Sequence, residues 1–556
     1  TLSEAVEELT AGDNNDAIGI TLTGDGTIAN GLNAAELKTL DTKTGGTIVA
    51  TTITTLKGSL ADLDSVTQSA QITTATNYAA NVTGTLGSAD ITKLNTLGGD
   101  NGTSAVTATI SGVTAAQING LTTNGTNDAI SITLNDADAN NAEDLKTIAA
   151  ATNVDVVATN IADIQDVAAK LDDLITVTAA SSSSGITLDT NYTSTVVGDI
   201  AATGGNVTKI NTLGTQTPGI LTAQFAVDLA VADADGLTTA SNDLITVILA
   251  TSEATAAQLN LINDKTEVTI DAGKITKVKH EGSNATDIDA LITATNGAGV
   301  DIDETLNGGG LGNTTAVAIE RTGTALTANA ANVIKVNELA GQTEGVVTLA
   351  FAQGSVSVFD DLTTTNNDLI TVVTAAETAT AAQLITIDAA TGTTVDATAI
   401  TKITSDSITD LITATADSTI NINKSAITAE LTSAITSVSA PTTVANINTA
   451  ASQVDGEFKA TLSNLKASDI SGLNTNGTTD AITITLKDEP GVANASDIVA
   501  IASKTNVDVD ASNISDLRAA AADIADIITV ATTPTTDIDL DSDFTSTVTG
   551  PLATGA

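Results

Sequence analysis

Apolar and polar positions along this chain fall into short alternating strings, separated by stretches with a longer hydrophobic period. Strings begin at Ile370 (ITVV), Val395 (VDAT), Ile420 (ININ) and Val444 (VANI), in steps of 25, 25 and 24 residues. Each alternates, with Val395 and Ala397 against Asp396 and Thr398, which is the period of a half-buried strand. Between them lie SDSITDLITATADS and AITAELTSAITSV, where Ile408, Leu411 and Ile412, then Ile427, Leu431 and Ile435, recur at helical spacing. Ser and Asp ahead of such stretches can cap a first turn, so both read as short helices. AEDLKTIAAA and IADIQDVAAKL, on either side of the string at Val154, predict helices by the same pattern.

A second, longer period contains the first. NDAIGITL, with Asp16, returns as NDAISITL (Asp128), NDLITVIL (Asp243), NDLITVVT (Asp368) and TDAITITL (Asp480), at spacings of 112, 115, 125 and 112 residues. An independent marker keeps step: ADITKLNTLG around Ile91, GNVTKINTLG around Val207 and ANVIKVNELAG around Val333, spaced by 116 and 126. Two markers that drift together define a tandem duplication. Its units are 1–127, 128–242, 243–367, 368–479 and a partial fifth, 480–556.

A strand with a short helix or loop every 25 residues buries its apolar face only by stacking on copies of itself. The pattern therefore predicts a mainly β chain with short helices. Its architecture would be a right-handed parallel β (β/α) solenoid of about 25 residues per coil, in super-repeats of about 115 residues. Stacked at roughly 4.8 Å per coil, it would form a rod on the order of 100 Å long. The competing arrangement is five compact α/β domains, which the scarcity of proline (five residues) and the lack of evident linkers disfavour.

Composition agrees with a thin core. Aromatics are 1% of the chain and Cys, Met and Trp are absent, leaving Ala, Val, Ile and Leu to fill the interior. The formal net charge of -47 repels nucleic acid and anionic lipid, since phosphate binding needs clustered Lys and Arg. No run of eighteen apolar residues occurs, so membrane insertion is not expected either. The opening TLSEAVEELTAG is neither an initiator Met nor a basic, apolar leader, and reads as a processed product or a piece of a longer protein.

GGTIVATTITTLKGSLADLDSVTQSAQIT (Gly45 to Thr73) resembles the short repeats of giant bacterial cell-surface and adhesin-like proteins, notably cyanobacterial ones. GTTVDATAITKITSDSITDLITATADSTI (Gly392 to Ile420) and VDVDASNISDL (Val507 to Leu517) are similar. The resemblance implies a large, exported, repetitive surface protein. Members often adjoin calcium-binding nonapeptide repeats; GGLGNT (Gly309 to Thr314) approaches that motif but has Thr where the ligating Asp belongs.

Catalytic constellations are lacking in the sequence. The single His, His280, lies in KITKVKHEGSNATD, which reads as a solvated polar turn, and no G-x-S-x-G, phosphate-cradling loop or cysteine accompanies it. A polysaccharide lyase would need aromatic platforms, whereas the seven Phe and Tyr are scattered singly. The one chemical expectation is calcium. In DIDLDSDF, Asp537, Asp539, Asp541 and Asp543 alternate with apolar residues, and an extended backbone would line all four carboxylates on one face. A solvated acidic face explains the same pattern. DADANNAED (Asp136 to Asp144) and DADG (Asp233 to Gly236) are looser candidates.

These features lead to an expectation of a non-enzymatic, extracellular structural protein that self-associates into a surface layer, sheath or filament. The alternative is the stalk of a large adhesin or phage fibre. Chain ends near Thr1 and Ala556 are expected to meet another copy or a continuing chain.

Overall fold

The computed structural model describes residues 17–23, 31–135, 140–179, 185–282, 288–296, 300–301, 316–439, 443–487, 494–531 and 538–550. The contacts divide the chain into two compact units, Thr1–Thr251 with Leu261–Gly273 and Ser252–Asn260 with Lys274–Ala556.

In the first unit, strands Leu32–Asn33, Thr55–Gly58, Ala79–Leu86, Val106–Val113, Ala129–Leu134, Val156–Ala158 and Ile186–Leu188 lie side by side in chain order. Every pairing is parallel. A second parallel sheet runs through Asn140–Asn141, Asp163–Asp166, Thr193–Val196, Leu221–Gln224 and Leu244–Thr246. Parallel neighbours require a crossover, and helices supply many of them: Ala34–Lys43, Leu60–Thr67, Ile91–Asp100, Ala142–Ala150, Ala168–Ala179 and Gly204–Gln216. Successive helices pack on one another, for example Ala142–Ala150 on Ala168–Ala179.

The second unit repeats the plan. Thr378–Thr380, Lys402–Ser405, Thr428–Leu431, Phe458–Leu465, Ala481–Leu486, Val509–Ala511 and Ile538–Leu540 form one parallel sheet in chain order. Helices Ala381–Ala389, Ile408–Ala416 and Val444–Ser452 stack in succession beside it.

The expected mainly β solenoid is therefore corrected. Helix and strand are nearly equal, 31% and 30%, and the chain is an α/β fold of parallel sheets with many helices. The helical share was underestimated because Ala- and Thr-rich helices with three or four buried residues have a weak apolar signature. In Val444–Ser452, whose sequence reads as an alternating string, only Ile447, Ala450 and Ala451 are buried.

Individual elements follow the same logic. Val395–Ala397 pairs in parallel with Ile420–Ile422, Val395 opposite Ile420 and Ala397 opposite Ile422, and all four side chains are buried. Ile370 lies on the strand Leu369–Thr371, joined onward by the parallel bridge of Val373 with Asp396. The string at Val444 is instead the start of a helix, capped by the Thr443 hydroxyl accepting the Asn446 N–H. Ile427, Leu431 and Ile435, expected on a helix, lie on extended backbone: Thr428–Leu431 is a strand and Ile435 bridges Leu462. Spacings of four and eight satisfy a period of two as well as a helical one, and the intervening Ala429, also buried, fixes the strand reading. In IADIQDVAAKL the first part is likewise a strand, Asp163–Asp166, and the helix begins only at Ala168.

Candidate functional site

Side chains that recur with the long period supply the most distinctive chemistry. The marker aspartates Asp128, Asp243, Asp368 and Asp480 are all buried, at 0–5% exposure. Each carboxylate clasps two stretches of backbone. Asp128 Oδ1 accepts the Val106 N–H at 2.8 Å, and Oδ2 accepts the Asn124 N–H at 2.6 Å. Asp243 accepts from Leu221 and Ala240 at 2.8 Å each. Asp368 accepts from Val347 and Thr365, and Asp480 from Phe458 and Asn476. One bond closes the local turn and the other reaches the strand 21 or 22 residues back. Burial pushes the carboxyls of Asp128 and Asp480 above their ordinary range, although the two backbone N–H groups pull the other way.

Threonine and asparagine repeat the device. Thr44, Thr152, Thr266, Thr391 and Thr505 are buried. Their hydroxyls accept the N–H of Ile18, Ile130, Ile245, Ile370 and Ile482 at 2.8–3.1 Å. Asn95, Asn211, Asn337 and Asn448 sit in the second marker helix or its equivalent. Each donates to a backbone carbonyl one turn of the repeat onward (Gly120, Gly236, Asp361, Gly472) and accepts the N–H two residues beyond it. Close approach of backbones accompanies these clasps. A Cβ on Gly125 would lie 1.8 Å from the Ala150 carbonyl oxygen, and on Gly477 2.0 Å from that of Ser503, so both positions exclude a side chain.

Two grooves of matching construction flank the clasps. One, of about 560 Å³, is lined by Asn337, Glu344, Thr364 and Asp368; the other, of about 250 Å³, by Asp455, Asn474, Thr475 and Asp480. Their buried polar groups are already engaged: Thr364 donates to the Ala390 carbonyl and Thr475 to that of Lys504.

The acidic stretch expected to line one face does not stay extended. Asp537 lies outside the described residues, and the strand covers only Ile538–Leu540. Asp539 is exposed and stands in register with Asp510 of the neighbouring strand. Asp541 Oδ1 accepts the Asp543 N–H at 2.9 Å, turning the chain there. Among the described residues no three His, Cys, Asp or Glu side chains gather closely enough to hold a metal ion. Asp136, Asp138 and GGLGNT (Gly309 to Thr314) lie outside the described residues. Asp144 accepts the Asn119 amide at 3.1 Å, and Asp233 lies on the short helix Val231–Ala234.

His280 is also corrected. It lies inside the strand Lys277–Gly282, its side chain 9% exposed, and not in a solvated turn. The parallel strand Ala318–Gly323 sets Arg321 in register with it, buried at 4%. The guanidinium lies over Gly282, where a Cβ would come within 2.1 Å of it, and donates to the Thr324 carbonyl at 2.6 Å. The alternation Val278, His280, Gly282 against Ile319, Arg321 was the available signal: it places both polar groups on the inward face. The strand in the corresponding place before the helix Val444–Ser452 presents the aliphatic Leu431 inward. Arg321 thus takes a core position filled there by aliphatic carbon, while the strand before it presents Ser405 where His280 stands.

No family model matches the chain, and no curated protein matches it. No helix among the described residues is long and apolar enough to cross a membrane.

Proposed function

We propose that this chain is a non-enzymatic structural repeat protein that works outside the cell by associating with further repeats, in a filament or sheath. The observation that carries this reading is where the recurring polar groups go. Asp128, Asp243, Asp368 and Asp480, with their threonine and asparagine counterparts, hydrogen-bond one turn of the repeat to the next, so these recurring polar groups are engaged in holding the fold. A stalk that carries a binding tip elsewhere needs the same internal clasps and is the alternative. The surface-layer role expected from the sequence is not carried forward, because nothing among the described residues supports one. Electron microscopy and light scattering of the purified chain test the proposal. Filaments or sheaths support it; a monodisperse monomer at every concentration and salt condition overturns it.

A further inference from the structure

A further groove, of about 280 Å³, differs from the two beside the clasps in the sign of its charge. Thr436, Ser437, Asn464, Lys466, Asp469 and Lys487 line it. In a chain with 67 acidic and 20 basic side chains, two lysines here accompany one carboxylate.

The same place in the first unit has different chemistry. VTATISGVTAAQING (Val106 to Gly120) and FKATLSNLKASDISG (Phe458 to Gly472) are copies of one segment. Both strands bulge against the next one, between Ser111 and Val113 and between Ser463 and Leu465. Both next strands end alike, the Asn135 N–H donating to the Val113 carbonyl at 3.0 Å and the Lys487 N–H to that of Leu465 at 2.8 Å. The backbones match, but Gly112, Thr114, Gln117 and Asn135 are replaced by Asn464, Lys466, Asp469 and Lys487.

The change at the bulge runs against backbone preference. Gly112 has φ +71°, which glycine adopts freely. Asn464 keeps the same conformation at φ 58°, the one non-glycine residue with positive φ among the described residues. A bulge re-aims a side chain, and backbone strain of this kind gathers at ligand clamps. Among the described residues the Asn464 side chain makes no hydrogen bond and Lys487 no ion pair, so both are available to a ligand.

We propose that this groove binds one acidic sugar unit. The Lys487 ammonium pairs with the sugar carboxylate, in a groove that Lys466 also lines. The Asn464 amide, the Thr436 and Ser437 hydroxyls and the Asp469 carboxylate meet the ring hydroxyls. Asp469 sets the class of ligand, because it repels a bare anion and accepts from a hydroxyl. The volume lies at the small end of ligand pockets, roughly 300 Å³, and suits a single ring.

Saturation-transfer NMR and isothermal titration on the whole chain, with galacturonate, galactose and acetate as probes, test the proposal. Galacturonate is expected to saturate one site with a Kd on the order of 1 mM. Galactose lacks the carboxylate and acetate the hydroxyls, so each is expected to bind at least about fivefold more weakly. Lys487→Gln is expected to weaken galacturonate about fivefold and leave galactose unchanged. Asn464→Gly, which restores the residue of the other copy, is expected to weaken both sugars without lowering the melting temperature. Lys57→Gln, outside the groove, should change neither. Absence of saturable galacturonate binding overturns the proposal, as does equal binding of acetate or unaltered binding in both groove variants. The readout does not depend on assembly, so its failure leaves the filament reading to its own test by microscopy.

Discussion

Asp128 Oδ1 accepts the backbone N–H of Val106 at 2.8 Å, tying the start of the strand Ala129–Leu134 to the start of its parallel neighbour 22 residues earlier. The same bond recurs at Asp243, Asp368 and Asp480. Removing such a carboxylate strands two N–H groups in the interior. Asp243→Ala is expected to cost about 2–4 kcal/mol, and Asp243→Asn less, because its amide oxygen still accepts one bond. Urea unfolding checks both. Equal stability of the alanine variant and the parent would show the clasp to be incidental.

Ile420 lies opposite Val395 in the interior, 3% exposed. Ile420→Asp buries an unpaired carboxylate and is expected to cost several kcal/mol, on the order of 3–5. In a fold of stacked neighbours the damage should stay local. Amide exchange should rise around 395–431 and remain unchanged in residues 31–135. Uniform loss of protection across the chain would contradict this.

The pH response has a definite sign. Burial raises the carboxyl of Asp128 and of Asp480 above the ordinary 3.8. The folded chain then holds protons more tightly than the unfolded one, so the cost of burying these charges is present at neutral pH and is relieved as pH falls toward 3.8. The parent's stability relative to an Asp128→Asn, Asp480→Asn variant is expected to increase between pH 7 and pH 4. Asp417 acts oppositely: the hydroxyl and then the N–H of Thr419 hold it below 3.8, and its contribution disappears only in stronger acid. Urea midpoints across this range decide; a difference independent of pH would refute the assignment.

With a formal charge of -47, the folded chain repels itself. Raising sodium chloride from 0.05 to 0.5 M should raise the melting temperature, because the Debye length shrinks from about 14 to about 4 Å. Magnesium and calcium at equal millimolar concentration are expected to act alike where they only screen the excess of carboxylates. A shift specific to calcium would show a site that these carboxylates do not reveal.

Much was legible in the residues alone. The alternation of Val395, Ala397, Ile420 and Ile422 marked them as interior, and their spacing by one repeat predicted a parallel pair. The long period, from two markers drifting together, located the buried aspartates Asp128, Asp243, Asp368 and Asp480 without identifying them as buried. Local pattern is enough for this, because a repeat that stacks on itself makes neighbours of residues a fixed distance apart. Three things required the tertiary structure. Residues Ile427, Leu431 and Ile435 satisfy two periods at once, and only the neighbouring strands Lys402–Ser405 and Phe458–Leu465 select extended backbone at Leu431 and Ile435. His280 and Arg321 look like surface residues until adjacent strands turn both inward. The two Thr-Ser-Thr-Val strands are identical in sequence, yet Ser194 and Val196 are buried while their counterparts Ser546 and Val548 are exposed. Periodicity determines which face of a segment is apolar; what covers that face is decided by the packing of its neighbours.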